Sequence, residues 1–251
     1  MTPPPCPPEL TGALSQNDPA RPPWRGPGRG TQVWLVRHGS VDAGDSAYGD
    51  LDVQLSEAGR RETEAAAAAL GDLRPVCVAS SPLSRALALG AAVAERAGCE
   101  LIVDARLREV NRGAWQGLPL AEYHARWRAD ADAYWRDPFG WRGHAGDSEA
   151  ELRARTTAAL DALLAHSSLG HDTTLVVTAH RQAIRALIGA ALGLPAVASH
   201  GLRLDTAHGC LLIDEPDGWT LARTNVAYMN RPPAAELASG PPLDVVARLA
   251  R

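Results

Sequence analysis

Lysine is missing altogether from the 251 residues, and all 25 basic side chains are arginines. The bias reads as genome composition, so a single arginine carries little meaning until a pattern surrounds it. A cationic surplus is missing too. The formal net charge is −4, without the excess of basic groups that neutralising a phosphate backbone demands, which argues against a nucleic-acid partner. Cysteine is sparse: Cys6, Cys77, Cys99 and Cys210 form no CxxC pair and no Cys/His cluster. Neither a zinc site nor a disulfide framework is therefore indicated, and a reduced, cytoplasmic setting is expected. No apolar run is long enough to span a bilayer, and the proline-rich start lacks the apolar core of a secretory signal, so no membrane association is expected.

What remains is 45% hydrophobic content, enough for one large core or two small ones. Residues 1–30 hold nine prolines and several glycines, a composition that buries too little surface to order itself, and they read as a flexible tail. A domain is expected over 31–230, with a C-terminal tail over 231–251. Val33-Trp34-Leu35-Val36 reads as a buried strand, and similar apolar runs follow at 76–79, 101–104 and 174–178. Between them, 59–70 is rich in Ala and Glu, and Ser81-Pro82 supplies a cap followed by proline at the first helical position. Leu152, Ala159, Leu160, Leu163 and Leu164 share one helical face, as do Ile184, Leu187, Ile188 and Ala191. Strands at 209–214 and 219–223 flank Pro216-Asp217-Gly218, a tight-turn sequence. Alternation of strand and helix implies an α/β fold with a mostly parallel central sheet. Seven of the twelve aromatic residues crowd between Trp115 and Trp141. Helices forming a lid insertion are expected there, over about 113–147.

Arg37-His38-Gly39 directly follows the first strand, where open α/β sheets bind their ligands. A neutral imidazole can attack phosphorus through one ring nitrogen while the other donates a hydrogen bond that fixes its tautomer. Arginine grips phosphate oxygens in a permanent charged fork, and glycine allows close backbone approach. A lone tripeptide is equally consistent with a turn. Its partners are Ser81-Pro82-Leu83-Ser84-Arg85, Leu107-Arg108-Glu109 and Ala179-His180, each after an expected strand or its adjoining turn. The other histidines, His124, His144, His166, His171, His200 and His208, show no metal-ligand spacing and receive no role.

With these four motifs in this order the chain resembles the histidine phosphatase (phosphoglycerate-mutase-like) superfamily, in its broad-specificity and α-ribazole phosphatase branch. The similarity runs from about 33 to 228 and takes in Leu55-Ser56-Glu57-Ala58-Gly59, Trp115-Gln116-Gly117, Gly146-Asp147-Ser148 and Arg155. The resemblance implies a three-layer α/β/α sandwich and a metal-independent phosphomonoesterase without a cofactor. It implies His38 as the nucleophile of a phosphohistidine intermediate, Glu109 as proton donor, and His180 with Arg37, Gly39 and Arg85 around the phosphate. The expected partner is a phosphorylated small molecule, and a homodimer is the expected assembly.

Departures from the family pattern are Gly44 where many relatives carry asparagine, Gln116 and Asp147 in place of glutamates, and Arg181 in place of glycine. Arg181 is a candidate for contacting a carboxylate or second phosphate on the substrate; its bland reading is a solvent-facing helix residue. Mutase-type phosphoryl transfer and a non-catalytic phospho-ligand module are the alternatives. The Pro/Gly/Ala-rich stretch 232–242 is unlike an ordered lid, which favours hydrolysis.

Overall fold

The run Gln-Val-Trp-Leu-Val-Arg suits a pleated, buried surface. In the computed structural model, which describes residues 30–166, 172–215 and 218–228, it forms β1 (Gln32–Arg37), with Val33, Trp34, Leu35 and Val36 all buried. Burial on both faces is what an interior strand covered by two helical layers requires. Later strands are β2 (Cys77–Ser80), β3 (Glu100–Val103), β4 (Thr174–Ala179), β5 (His208–Glu215) and β6 (Gly218–Ala227). They form one sheet in the order β3-β2-β4-β1-β5-β6. β3, β2, β4 and β1 run parallel, whereas β5 is antiparallel to β1 and β6 to β5.

Helix α1 (Glu57–Gly71) begins where the Ser56 side chain accepts the Gly59 N–H. Helix α2 (Ser84–Ala97) ends at Gly98 in the left-handed conformation that favours glycine. Ala66, Leu70, Leu89 and Val93 of this pair pack on Trp34, Val36, Val78 and Val176. The insertion between β3 and the next long helix carries α3 (Leu120–Arg126) and α4 (Arg128–Arg136) around a separate cluster of Trp115, Tyr123, Ala131 and Tyr134. Helix α5 (Glu149–Leu164) opens on a capping box between Ser148 and Glu151. Its Leu152, Leu160 and Leu163, with Ile184, Leu187 and Ile188 of α6 (Arg181–Ala191), cover Val33, Leu35, Leu175 and Val177 on the other face. The short α7 (Ala196–His200) follows. Odd and even residues of β1 thus serve opposite cores, and the architecture is a three-layer α/β/α sandwich with an aromatic helical insertion.

One local expectation is corrected. Ser81-Pro82 does not open α2, which begins at Ser84 with Leu83 as its unassisted cap residue. Ser81 is engaged elsewhere: its hydroxyl accepts the Leu83 N–H and bonds the ring of His180. The turn residues Pro216 and Asp217, His171, the tail 1–29 with Cys6, and 229–251 lie outside the described residues. Among the described residues no helix is long and apolar enough to cross a membrane.

Candidate active site

Parallel pairing of β1 with β4 places Arg37 opposite Ala179, so the residues that follow, His38 and His180, emerge side by side at the carboxyl ends of adjacent strands. Their ring centroids are 5.2 Å apart. Both are buried, at 2% and 0% exposure. His38 Nδ1 lies 2.7 Å from the Gly39 carbonyl oxygen. A carbonyl can only accept, so Nδ1 carries the proton and Nε2 keeps its lone pair. Burial, then the neighbouring Arg37, push the imidazole down to about 3, with Arg85 and Arg181 adding to the effect against the bond to Gly39. At neutral pH the ring is therefore uncharged, the state a nucleophile needs. His180 Nε2 bonds the Ser81 hydroxyl at 2.8 Å, while its Nδ1 is buried without a hydrogen-bond partner among the described residues. Burial and the adjacent His38 hold it well below the usual histidine range.

Arg37 anchors one guanidinium nitrogen on the Leu204 carbonyl at 2.9 Å, and its buried Nε has no hydrogen-bond partner among the described residues. Arg85, the second residue of α2, is fully buried. It donates to the carbonyls of Leu51 and Gly49 at 2.7 and 2.9 Å and lies 5.2 Å from the Tyr48 ring centroid. It therefore stands behind Tyr48 and Gly49, which line the cavity. Gly39 acquires a packing reason beside the expected anion approach. A side chain there would collide with the Gly59 carbonyl and the Thr63 hydroxyl of α1.

Glu109 follows a 3-10 turn (Ala105–Leu107) capped by Asp104. Its Oε1 accepts the Val110 and Ala183 N–H groups at 2.9 and 3.1 Å, and its Oε2 accepts the Gln182 N–H at 3.1 Å. The carboxyl group thus sits on the N-terminus of α6, where it satisfies two amides that the helix leaves without an internal partner, close in the chain to His180. Its loop is pinned by Arg155, which donates to the carbonyls of Arg106, Arg108 and Glu109 and to Asp147; Asp147 also accepts the Asn111 N–H. Arg155 and Asp147, quoted above only as part of a motif, here hold the Glu109 loop against α5.

Arg37, His38 and Glu109 face a cavity of about 370 Å³. Arg112, Arg181 and Arg185 join Arg37 in its wall, and Trp115, Tyr123 and Trp135 of the insertion form an aromatic side. Arg112, Arg185 and Tyr48 carried no motif in the sequence; the only available hint was that Arg185 falls one turn after Arg181. A second cavity, of about 400 Å³, contains neither histidine, and its Arg108, Arg142 and Arg155 are paired with Asp50, Glu151 and Asp147. Among the described residues no group of three or more His, Cys, Asp or Glu side chains could hold a metal ion.

Burying neutral histidines makes the fold acid-sensitive. His144, fully buried against Trp115, is pushed down to about 4 by burial and by Arg112. An unfolded chain takes up these protons below the ordinary value near 6.5, whereas the native state does not until about pH 3 to 4. Stability from His38 and His144 is thus fully present above pH 6.5 and is lost as pH falls. At pH 5 each contributes about 2 kcal/mol less than at pH 8, and His180 acts in the same direction. Urea unfolding at pH 8 and pH 5 measures this, and equal stabilities at the two values would refute it.

The sequence model described as "Histidine phosphatase superfamily (branch 1)" matches residues 33–227. A glucosyl-3-phosphoglycerate phosphatase of Mycolicibacterium vanbaalenii is 36% identical over 167 residues, covering 64% of this chain and 74% of that protein. A probable phosphoglycerate mutase of Erwinia tasmaniensis is 32% identical over 175 residues, covering 69% of this chain and 80% of the relative. Among solved structures, the native mycobacterial glucosyl-3-phosphoglycerate phosphatase superposes with a TM-score of 0.70 at 33% identity, over 78% of this chain and 99% of that one.

Proposed function

Because the chain belongs to the histidine phosphatase superfamily and is a hydrolase of that type, we propose that it is a phosphomonoesterase that works through a phosphohistidine on His38. The observation that carries this reading is the neutral His38 ring, tethered through Nδ1 to Gly39 and facing a cavity shared with Glu109 and four arginines.

In the first half-reaction His38 Nε2 forms a bond to phosphorus while the ester P–O bond breaks, and the departing alkoxide takes the proton of a protonated Glu109 carboxyl. In the second, water attacks phosphorus and gives its proton to the Glu109 carboxylate. The P–N bond then breaks, and neutral His38 and inorganic phosphate result. Arg37 supplies positive charge to the equatorial oxygens, Arg85 adds its field from behind Tyr48 and Gly49, and His180 Nδ1, buried without a partner among the described residues, is available to donate to one of them. These charges stand where other phosphoryl-transfer enzymes place Mg²⁺, and the reaction is expected to need no metal.

The proposed substrate is a phosphoglycerate ester bearing a sugar. Support comes from the relatives named glucosyl-3-phosphoglycerate phosphatase, and from a cavity within the size range of small-molecule sites that is walled by Trp115, Tyr123 and Trp135. Phosphate release from glucosyl-3-phosphoglycerate, 3-phosphoglycerate, α-ribazole phosphate and p-nitrophenyl phosphate, each with and without EDTA, tests both points. The glucosylated ester is expected to give the highest kcat/KM, with EDTA changing rates less than about twofold. Phosphoryl transfer between phosphoglycerates without phosphate release would replace this reading with the mutase one, and loss of activity in EDTA would remove metal independence.

A further inference from the structure

Arg181 stands among other arginines in the cavity wall. It is the first residue of α6, and its charge works against Arg37 and Arg185 nearby. Arg181 is exposed and lines the cavity, and its guanidinium has neither a hydrogen bond nor an ion pair among the described residues. The neighbouring guanidiniums differ in this respect. Arg185 spends its donors on the Leu202 carbonyl and the Gln182 side chain, and Arg37 is anchored on Leu204. Burial, with Arg181 and Arg37 beside it, lowers Arg185 to about 10, which leaves it cationic at neutral pH. Arg112 lies over the Tyr134 ring at 5.3 Å with no carboxylate within ion-pairing distance among the described residues.

Charge bookkeeping sharpens the point. Four arginines line the cavity wall, and Glu109, its one carboxyl group, is protonated in the ester-bound state of the mechanism above, so four positive charges face the substrate. Glu109 is itself occupied by three backbone N–H groups. A phosphate dianion neutralises two of the four, so two remain, and the guanidiniums that neither donate to a backbone carbonyl nor pair with a carboxylate among the described residues are those of Arg181 and Arg112. Unpaired guanidiniums gathered on one wall of a cavity attract an anion to it.

We propose that Arg181, supported by Arg112, forms a second anion subsite that binds a carboxylate on the leaving group and selects carboxylate-bearing phosphate esters. The inference rests on the phosphatase reading above and adds its specificity-determining residue. A guanidinium matches a carboxylate in a two-pronged hydrogen-bonded pair, whereas the corresponding carboxamide offers one acceptor and no charge.

The test compares 3-phosphoglycerate with its carboxamide, glyceramide 3-phosphate, in the wild type, Arg181→Gln and Arg181→Ala. The wild type is expected to show a KM for the carboxamide roughly 10- to 100-fold above that for the carboxylate, the range of a charge-assisted hydrogen bond. In both variants this ratio is expected to fall to within about threefold, with the change concentrated in KM rather than kcat. Thermal unfolding of the two variants checks that they fold, and their residual hydrolysis of the carboxamide provides the reference. A ratio that survives in both variants while both esters are hydrolysed overturns the subsite and leaves the phosphatase reading intact. A wild-type preference for a bisphosphate over the carboxylate overturns the carboxylate assignment. No hydrolysis of any ester by the wild type overturns the phosphatase reading and the subsite together.

Discussion

His38→Ala is expected to lower kcat by roughly 10⁴- to 10⁶-fold, the range seen when a covalent nucleophile is removed and only binding and charge stabilisation remain. The argument is geometric. Fixing the Nδ1 proton on the Gly39 carbonyl leaves Nε2 as the ring's lone-pair nitrogen, and no other described residue of the cavity wall offers a neutral nitrogen nucleophile. His180 is adjacent, but its Nε2 is engaged with Ser81. Rapid acid-free quenching during turnover of a labelled substrate should trap a phosphoenzyme that is labile in acid and stable in alkali, as a P–N bond is. The label should vanish in His38→Ala and persist in His180→Ala. Truncating a buried ring also leaves a cavity, so the variant's unfolding midpoint must be measured. His38→Asn, whose amide can still donate to Gly39, serves as the less disruptive control. Label retained in a folded His38→Ala would move the nucleophile elsewhere.

Much of this site was legible because its pieces are short-range. Arg37 and His38 are consecutive, they follow an apolar run, and a strand end is where an α/β sheet exposes side chains to a ligand. Three of the parallel strands, β1, β2 and β4, could be seen because burial on two faces makes them apolar, whereas the edge strand β3 is only half-buried and was legible from its Leu-Ile-Val run alone. What could not be seen depends on three-dimensional register. No spacing rule ties Ser81 to His180, 99 residues apart, and a Ser-Pro pair reads more naturally as a helix cap. The contact exists because β2 and β4 pair in parallel with Ser80 opposite Thr178, which brings the residues after each strand together. Arg112 and Arg185 were illegible for a related reason. In a chain whose every cation is arginine, one arginine is distinguished from another only by what surrounds it. The aromatics of the insertion serve two purposes. Trp115 packs against Tyr123, Tyr134 and Trp141 in their own cluster, and the same indole also forms part of the cavity wall.

Glu109→Gln is expected to cost on the order of 10²- to 10⁴-fold in kcat/KM with alkyl phosphates, and markedly less with p-nitrophenyl phosphate. An alkoxide leaving group cannot depart without a proton, whereas p-nitrophenolate can, so the loss of a proton donor should scale with the basicity of what leaves. The structure adds a complication that the ratio removes. Glu109 accepts three backbone N–H groups, two of them the orphan amides of Gln182 and Ala183 at the start of α6. A glutamine can accept through one atom only, and its amide nitrogen then faces a donor, which should destabilise the fold by about 1–3 kcal/mol. That cost, visible in a denaturant titration, is the same whichever ester is turned over. Any displacement of His180 or Arg181 through a frayed helix start would likewise depress both substrates together. Only the proton-donor role predicts divergence, seen as a steeper dependence of rate on leaving-group pKa across a series of aryl and alkyl phosphates. Parallel losses across that series would instead leave Glu109 as the carboxylate that caps α6 and holds the second histidine in place.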